Sequence, residues 1–289
     1  LVGLSVMVAE VLIGRRGRLN PVGSFRVLRP DTQWKLVGFL GLLAGFLILS
    51  YYAVVAGWTF EYVIRSIIWD FDERDPGASF GEFIASPVKQ VGYFLAFMAV
   101  TMLVVVGGVS KGIERWNRIL MPLLLSMLII LMVRVLTLPG GEKAVRFLFW
   151  PDFGSLNHDM VLEALGQAFF SMSLGMGALL TYGSYLPKKA NIGTACIAIA
   201  GLDAFVALVA SIVIFGAIFS YGIVMEGSGI GNLFTAIPMI FLKMPGGQWM
   251  CLMFYTLVCF AALTSSVSLQ EVVSSYLIDE RRMSRQKAV

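Results

Sequence analysis

Residues 167–177 read QAFFSMSLGMG and lie in the middle of an apolar segment that is long enough to cross a lipid bilayer. Ser171, Ser173, Gly175 and Gly177 alternate here, and these residue types support an α-helix only weakly. Glycine is also common in membrane helices for packing alone. However, broken backbone at membrane depth is tolerated only where it lines protein or a cavity. The dense cluster therefore favours a discontinuous helix that offers carbonyl groups to a cation and N–H groups to an anion.

The rest of the chain is equally apolar. Hydrophobic residues make up 58% of the 289 residues and charged residues 14%, whereas a soluble domain carries about 25% charged residues. Long apolar runs near the ~20 residues of a membrane helix recur throughout. The predicted spans cover residues 36–64, 88–109, 119–138, 160–186, 190–221 and 248–277, after a partial span at 1–13. We therefore predict an all-α polytopic membrane protein.

The partial span at residues 1–13 would rise only about 20 Å as a helix, less than the ~30 Å hydrocarbon core. We interpret it as the cytoplasmic end of a helix that starts upstream, and we expect the chain to be a fragment of a longer transporter domain.

Basic residues concentrate in alternate connections between the spans. They are Arg15, Arg16, Arg18, Arg26, Arg29 and Lys35; Lys111, Arg115 and Arg118; Lys188 and Lys189; and, in the tail, Arg281, Arg282, Arg285 and Lys287. The connection after the first full span is instead acidic, with Asp70, Asp72, Glu73, Asp75 and Glu82. This positive-inside pattern predicts a multi-pass protein of the cell (inner or plasma) membrane whose tail is cytoplasmic. It also explains the net charge of +4, so nucleic-acid binding is not expected.

Residues 222–247 form a connection too long for a simple turn. Within it, residues 233–242 are apolar and are bracketed by Pro238 and by the Pro-Gly-Gly sequence at 245–247. A disordered loop is the alternative, but so apolar a segment is unfavourable in water. We predict a helical hairpin that forms a lid on the outer face.

Four acidic residues lie at membrane depth, where ionisable side chains are rare and usually functional: Glu10, Glu61, Asp203 and Glu271. Glu61 lies near a span end and is interpreted as structural, while Glu10 and Glu271 could be structural or mechanistic. Asp203 lies in mid-span with no basic residue in its own helix. It belongs to a stripe of small residues: Cys196, Ala200, Asp203, Ala207 and Ala210. A carboxylate there needs a proton or a cation, and we favour a bound cation over a hydrogen-bonded structural acid.

Two further stripes follow helical spacing. One contains Ala261, Thr264, Ser265 and Ser268, and the other contains Gly38, Gly41, Gly45, Ile48 and Tyr52. The hydroxyl stripe is equally compatible with helix packing and with ligand binding, and the glycine stripe allows a neighbour to approach closely. The sequence has no metal-ligand cluster and no nucleophile–base pair, so we do not expect an enzyme.

Several short motifs occur in one order along the chain. They are Gly14-Arg15-Arg16; Tyr51-Tyr52 followed by Gly57-Trp58-Thr59; Ser110-Lys111-Gly112-Ile113-Glu114-Arg115; Trp150-Pro151-Asp152-Phe153; the serine-glycine segment; and Leu263-Thr264-Ser265-Ser266. In this order they resemble the neurotransmitter:sodium symporter family, more closely its bacterial amino-acid transporter branch, from the end of span two to span eight. The resemblance implies an inverted-repeat transporter with broken helices, incomplete in this chain, that binds its substrate at the bilayer midplane.

The resemblance also implies site residues. The substrate-binding set is Ile48, Tyr52, Phe170, Ser171, Ser173, Met176, Ser265 and Leu269. Tyr52 would bind the substrate carboxylate, Phe170 would close the pocket and Met176 would face the substrate side chain. The resemblance implies two Na⁺ sites, one at Ser171 and Asp203 and one at Ala261, Thr264 and Ser265, each completed by groups of span one. Oxygen ligands suit a hard cation.

Two departures from the family pattern inform the specificity. Animal members have asparagine at the position of Asp203 and bind chloride, so the fixed carboxylate here predicts no chloride requirement, although Gln167 of the chloride-site pattern is kept. Met176 replaces the aromatic residue of the leucine-selective member, and its flexible side chain predicts a pocket for hydrophobic or aromatic amino acids.

The expected function is therefore sodium-coupled symport of a neutral amino acid into the cell by alternating access. Two alternatives stay open: a proton-coupled transporter of related fold in which Asp203 carries the proton, and a transport-dead amino-acid sensor or channel. The sequence leaves the oligomeric state and the identity of the amino acid open.

Overall fold

The structure is a computed structural model that describes residues 2–71, 76–150, 153–222 and 230–289. Within these ranges the chain forms helices and no strand. The α-helices are α1 (Val2–Gly17), α2 (Pro21–Leu28), α3 (Lys35–Ile68), α4 (Pro76–Ala85), α5 (Pro87–Val106), α6 (Glu114–Leu136), α7 (Gly141–Phe149), α8 (His158–Ser171), α9 (Ala178–Tyr185), α10 (Ile192–Tyr221), α11 (Gly231–Lys243), α12 (Gly247–Arg281) and α13 (Arg285–Ala288). The all-α fold predicted from the sequence is confirmed.

Five of the described helices are long and apolar enough to cross a membrane, judged by length and composition: α3, α5, α6, α10 and α12. A helix satisfies its backbone hydrogen bonds internally, which is why it suits a hydrocarbon environment. Many large apolar side chains on these helices point away from the protein, including Leu103 at 75% exposure and Leu202 at 59%. Exposed apolar faces of this extent suit a hydrocarbon environment and not water.

The sequence analysis left residues 110–118 as a charged connection between two predicted spans, and the structure shows that this connection is helical. A π-helical turn at Val109–Ile113 runs directly into α6. Charged residues extend α6 beyond its apolar part because the Arg118 guanidinium pairs with the Glu114 carboxylate one turn earlier, at 2.7 Å.

Short helices, among them α2 and α11, also occupy other connections between the predicted spans. The helix α2 begins at Pro21, and the Asn20 side chain accepts hydrogen bonds from the N–H groups of Val22 and Gly23. The described part of the predicted lid is the single helix α11, and Pro238 lies inside it rather than at its edge. Several predicted features lie outside the described residues: Leu1, the acidic residues Asp72, Glu73 and Asp75 with Arg74, the Pro151-Asp152 pair, and Gly227 and Gly229.

The helix α12 lies at the centre, packed against α3, α5, α6, α9 and α11. An aromatic cluster joins α3, α11 and α12, since Tyr62 contacts Phe234 and Tyr255. The Tyr62 hydroxyl donates to the Phe234 carbonyl at 2.7 Å, and the Tyr255 hydroxyl donates to the Leu233 carbonyl at 2.8 Å. Two buried phenols therefore fix the first turn of α11.

The helices α1 and α9 approach each other closely through two glycines. A Cβ atom on Gly14 would lie 2.0 Å from the Leu180 carbonyl oxygen, and one on Gly183 would lie 2.7 Å from the Val11 carbonyl oxygen. Backbone therefore packs on backbone at this interface, and a side chain cannot be added without moving one helix.

This packing predicts a large difference between two Gly→Ala variants. Gly14→Ala should lower the thermal unfolding midpoint in detergent, because overpacking typically costs about 1–3 kcal/mol. Gly92→Ala on α5 is the matched control, since nothing lies within 4 Å of its added methyl group. The control should unfold at or slightly above the temperature of the unmodified protein. A Gly14→Ala midpoint equal to that of the control would contradict this account of the interface.

Candidate functional site

The predicted span at 160–186 is broken in its middle, as the sequence indicated. The helix α8 ends at Ser171, α9 begins at Ala178, and residues 172–177 form turns between them. Ser173, Gly175 and Gly177 have φ angles of 56°, 78° and 77°, which lie in the left-handed region. Two of these three positions are glycines because glycine adopts such angles without steric cost.

The neighbouring helix α3 packs directly on this break. A Cβ atom on Gly45 would lie 3.0 Å from the Met176 carbonyl oxygen, and one on Gly41 would lie 3.3 Å from the Gly175 carbonyl oxygen. The glycine stripe seen in the sequence thus allows close approach of a neighbour, and that neighbour is the non-helical segment.

Glu10 of α1 reaches the same break. Its Oε1 accepts a hydrogen bond from the Gly175 N–H at 2.7 Å, while its Oε2 is buried with no hydrogen-bond partner among the described residues. The sequence analysis left the role of Glu10 open between structural and mechanistic. What it could not show was which backbone group this carboxylate would meet.

A cavity of about 240 Å³ lies beside the break. It is lined by Ile48, Tyr52, Gln167, Phe170, Ser171, Ser173, Met176, Ala178, Ser265, Ser268 and Leu269. All eight residues that the resemblance implied for substrate binding lie around this one space. The sequence analysis noted Gln167 for the chloride-site pattern and Ser268 for the hydroxyl stripe but assigned neither to substrate binding, and Ala178 carries no chemical signal that could have identified it.

The cavity has a polar side and an apolar side. The Tyr52 phenol and the Ser265 and Ser268 hydroxyls belong to residues that line its polar side. Met176 and Leu269 are buried in one hydrophobic cluster, and Ile48 packs against it. Such a cavity suits a ligand that has a polar end and an apolar end.

Asp203 of α10 lies next to the end of α8. The Ser171 hydroxyl donates to its Oδ1 at 2.6 Å. Among the described residues, no Lys or Arg lies within ion-pair distance of Asp203. The structure thus brings together the two side chains that the resemblance assigned to one Na⁺ site, and it leaves the carboxylate without a cationic partner there.

The residues of the other predicted Na⁺ site share one turn of α12. The Thr264 hydroxyl donates to the Ala261 carbonyl at 2.9 Å, and the Ser268 hydroxyl donates to the Thr264 carbonyl at 3.1 Å. Ser265 belongs to the same turn and is exposed towards the cavity. Three of the predicted oxygen ligands are therefore adjacent, although packing alone also accounts for hydroxyls bonded to their own helix.

The two other acids at membrane depth are paired with arginines. Glu61 lies 2.8 Å from Arg65, and its other carboxylate oxygen accepts a hydrogen bond from Tyr93. Glu271 is completely buried and lies 2.7 Å from Arg285, whose pKa is raised by the hydrogen bond to that carboxylate. These pairs neutralise charge inside the protein and account for both residues structurally.

Apolar helices of this length, with a cavity beside a broken helix, define the class of multi-pass membrane proteins. The chain belongs to the sodium:neurotransmitter symporter family, whose family model matches residues 84–289. This confirms the resemblance seen in the sequence motifs, and the family is one of transporters, not enzymes.

Curated relatives and a solved structure agree with this assignment. The chain is 39% identical over 276 residues to the uncharacterized sodium-dependent transporter YhdH of Bacillus subtilis, an alignment that covers 94% of this chain and 61% of that protein. It is 33% identical to an uncharacterized sodium-dependent transporter of Haemophilus influenzae, covering 100% of this chain and 66% of that protein. The crystal structure of MhsT in complex with L-phenylalanine matches with a TM-score of 0.90 and 43% identity, covering 99% of this chain and 66% of MhsT. The chain thus spans less than two-thirds of the length of these relatives.

The contact between Glu10 and the break can be tested by amide hydrogen exchange. Glu10→Ala removes the acceptor of the Gly175 N–H, and hydrogen bonds to charged groups contribute about 1.5–3 kcal/mol. Peptides covering 172–177 should therefore exchange about tenfold faster or more. Glu10→Gln keeps an oxygen acceptor, so the amide hydrogens of 172–177 should exchange more slowly in this variant than in Glu10→Ala.

The control for this experiment is Glu163→Ala, which removes an exposed carboxylate from α8. It should leave the exchange of 172–177 unchanged. If Glu10→Ala behaves like this control, the carboxylate does not hold the non-helical segment.

Proposed function

We propose that the protein is a sodium-coupled symporter that imports a neutral amino acid, hydrophobic or aromatic, by alternating access. The observation that carries this proposal is the two-sided cavity beside the broken helix, next to an acid that lacks a cationic partner among the described residues. The similarity of the chain to sodium-dependent transporters, and to MhsT, whose crystal structure is a complex with L-phenylalanine, supports it.

The cavity supports an assignment of the two ends of the substrate. The Tyr52 hydroxyl would donate a hydrogen bond to the substrate carboxylate, which Ser171 and Ser173 of the broken segment would also face. Met176, with Leu269 behind it, would pack against an apolar side chain. Phe170, half exposed at 47%, would cover the cavity from the α8 side.

The first Na⁺ would bind at Ser171 and Asp203. Their oxygens already lie 2.6 Å apart through a hydrogen bond, so rotation of the serine hydroxyl hydrogen would turn a lone pair towards a cation. The carboxylate supplies the negative charge that a hard cation prefers. With that charge fixed, chloride would not be required.

The second Na⁺ would bind at the Ala261 carbonyl, Thr264 and Ser265. Because the Thr264 hydroxyl donates its hydrogen to the Ala261 carbonyl, its lone pairs remain available to a cation. This oxygen set carries no charge, so we expect it to bind Na⁺ more weakly than the Asp203 set.

The positive-inside pattern supports the orientation of this symporter. Lys188 and Lys189 between α9 and α10, and the basic residues after α12, would lie in the cytoplasm. The protein would thus be a multi-pass protein of the cell membrane with a cytoplasmic tail.

Transport in proteoliposomes tests the proposal. The complete gene product should accumulate labelled phenylalanine or leucine when Na⁺ is higher outside, and should not do so when Na⁺ is replaced at fixed pH. Accumulation that follows a proton gradient without Na⁺ would instead establish the proton-coupled alternative. Binding without counterflow of labelled substrate would establish the sensor.

Asp203→Asn tests the first Na⁺ site. The substitution keeps an oxygen but removes a charge whose attraction for a cation at 4 Å is worth up to about 4 kcal/mol at an effective dielectric constant of 20. Because Asp203 is partly exposed, we expect a loss of apparent Na⁺ affinity of about tenfold or more. Initial transport rates against Na⁺ concentration measure this loss.

The control is Glu163→Gln, which removes an exposed carboxylate from α8 without touching the cavity. Its Na⁺ dependence should match that of the unmodified protein. An Asp203→Asn protein with unchanged Na⁺ affinity and unchanged pH profile would show that Asp203 is a structural acid.

Met176→Phe tests the apolar side of the cavity. A rigid aromatic ring should narrow the space for the substrate side chain, so tryptophan should lose affinity relative to leucine. Hydrophobic pockets discriminate by about 1–3 kcal/mol per methylene, so a shift of roughly tenfold is expected in competition assays. Met121→Phe, at an exposed position on α6, is the control and should leave the ranking unchanged. If both variants rank tryptophan and leucine in the same way, Met176 does not contact the substrate side chain.

A further inference from the structure

A second groove lies away from the cavity, where the end of α1 meets the connection between α9 and α10. It is lined by Leu12, Arg15, Arg16, Arg18 and Lys188 and has a volume of about 510 Å³. Small-molecule sites typically occupy about 300–1,000 Å³. Four of the five lining residues are cationic, so the groove suits an anion.

Backbone contacts hold two of these cations in place. The Arg15 guanidinium donates through Nη1 to the Ala190 carbonyl at 2.6 Å, and that of Arg18 donates through Nη1 to the Ser184 carbonyl at 3.2 Å. Arg18 itself adopts a φ angle of 58°, and its N–H closes the end of α1 on the Gly14 carbonyl at 2.9 Å. In each arginine one guanidinium nitrogen holds the side chain in place, and the other N–H donors remain available to a ligand.

The positive charge of the groove is not compensated. Within the part of the chain that the structure describes, none of the four cations forms an ion pair with a carboxylate. Asp279 and Glu280 approach this end of α1, but Asn20 hydrogen-bonds both of them and Arg26 pairs with Glu280 at 2.6 Å. The nearby acids are therefore committed elsewhere.

The groove is amphipathic along α1. Leu12 is 48% exposed and lies one turn before Arg16 on the same helix face. Leu12 thus lies on the N-terminal side of the cations along the helix. Exposed Ala9 and Val2 continue the same face. A ligand that fits this surface has an anionic group at one end and an apolar chain at the other.

We propose that this groove binds an anionic phospholipid, with its phosphate on Arg15, Arg16, Arg18 and Lys188 and one acyl chain along Leu12. Arginine recognises phosphate through paired N–H donors, and basic pockets between membrane helices on the cytoplasmic side bind lipid headgroups. A free phosphate would meet the same cations but would make no use of the apolar face. The proposal depends on the membrane topology and not on which solute is transported, so a failed transport assay would leave it standing.

Lipid titration with native mass spectrometry tests the proposal on the detergent-purified complete gene product. The probes are phosphatidylglycerol, phosphatidylcholine and water-soluble glycerol phosphate. In the variant Arg16→Gln/Lys188→Gln, phosphatidylglycerol binding should weaken by about 25-fold, since each basic residue near a lipid phosphate contributes roughly a fivefold factor. Neither side chain makes a hydrogen bond within the described residues that folding would lose, and thermal unfolding should confirm this.

The control variant Arg281→Gln/Lys287→Gln removes the same charge from exposed positions at and after the end of α12. It should bind phosphatidylglycerol like the unmodified protein. Equal weakening in both variants, or none in the groove variant, would overturn the proposal, because binding would then reflect surface charge in general.

The apolar half of the site has its own test. Leu12→Asn should weaken phosphatidylglycerol binding and leave glycerol phosphate binding unchanged, which would support the lipid as the ligand. Glycerol phosphate that binds the unmodified protein as tightly as phosphatidylglycerol would overturn the lipid assignment, because the acyl chain would then contribute nothing.

Discussion

Backbone N–H and C=O groups that leave a helix inside a membrane must find other partners, because each unsatisfied group costs several kcal/mol in hydrocarbon. The break at 172–177 meets this requirement in three ways. Turn hydrogen bonds run from the Leu174 N–H to the Phe169 carbonyl at 2.9 Å and from the Ser173 N–H to the Phe170 carbonyl at 3.1 Å. The Gly177 carbonyl accepts hydrogen bonds from the N–H and the hydroxyl of Thr181 in the first turns of α9. The Gly175 N–H is satisfied from outside the segment, by Glu10.

The dependence on Glu10 explains much of the surrounding packing. For its carboxylate to reach Gly175, α1 must lie close to the broken helix, and Gly14 and Gly183 permit that approach. On the opposite side, Gly41 and Gly45 let α3 reach the same segment, which places Ile48 and Tyr52 at the cavity. These glycines therefore allow close packing and are not needed for flexibility. A Cβ atom at any of them would crowd the backbone of the neighbouring segment.

The sequence predicted those features that have a local cause. Alternating serine and glycine indicated the break. The absence of a basic residue in the helix of Asp203 favoured a bound cation there, which stays a prediction; the structure shows the Asp203 carboxylate accepting a hydrogen bond from Ser171. Features that depend on contacts between distant segments were not predictable. Glu10 looked like an acid near a membrane face because its partner is a backbone N–H 165 residues away. The helical course of 110–118 was not predicted because the spans were defined by their apolar residues, although Glu114 and Arg118 favour a helix by their spacing.

The four acids at membrane depth fall into two groups according to their partners. One group is paired with arginines and supports the fold, and the other lies beside the broken helix. Glu61 and Glu271 are each neutralised by an arginine within the protein, so neither has charge left to offer a ligand. Glu10 and Asp203 have no such partner among the described residues, and both contact the ends or the turns of the broken helix. A carboxyl group without a cationic partner needs either a proton or a bound cation at this depth. The acids that lack a cationic partner thus lie beside the non-helical segment, and one of them, Asp203, belongs to the proposed Na⁺ site.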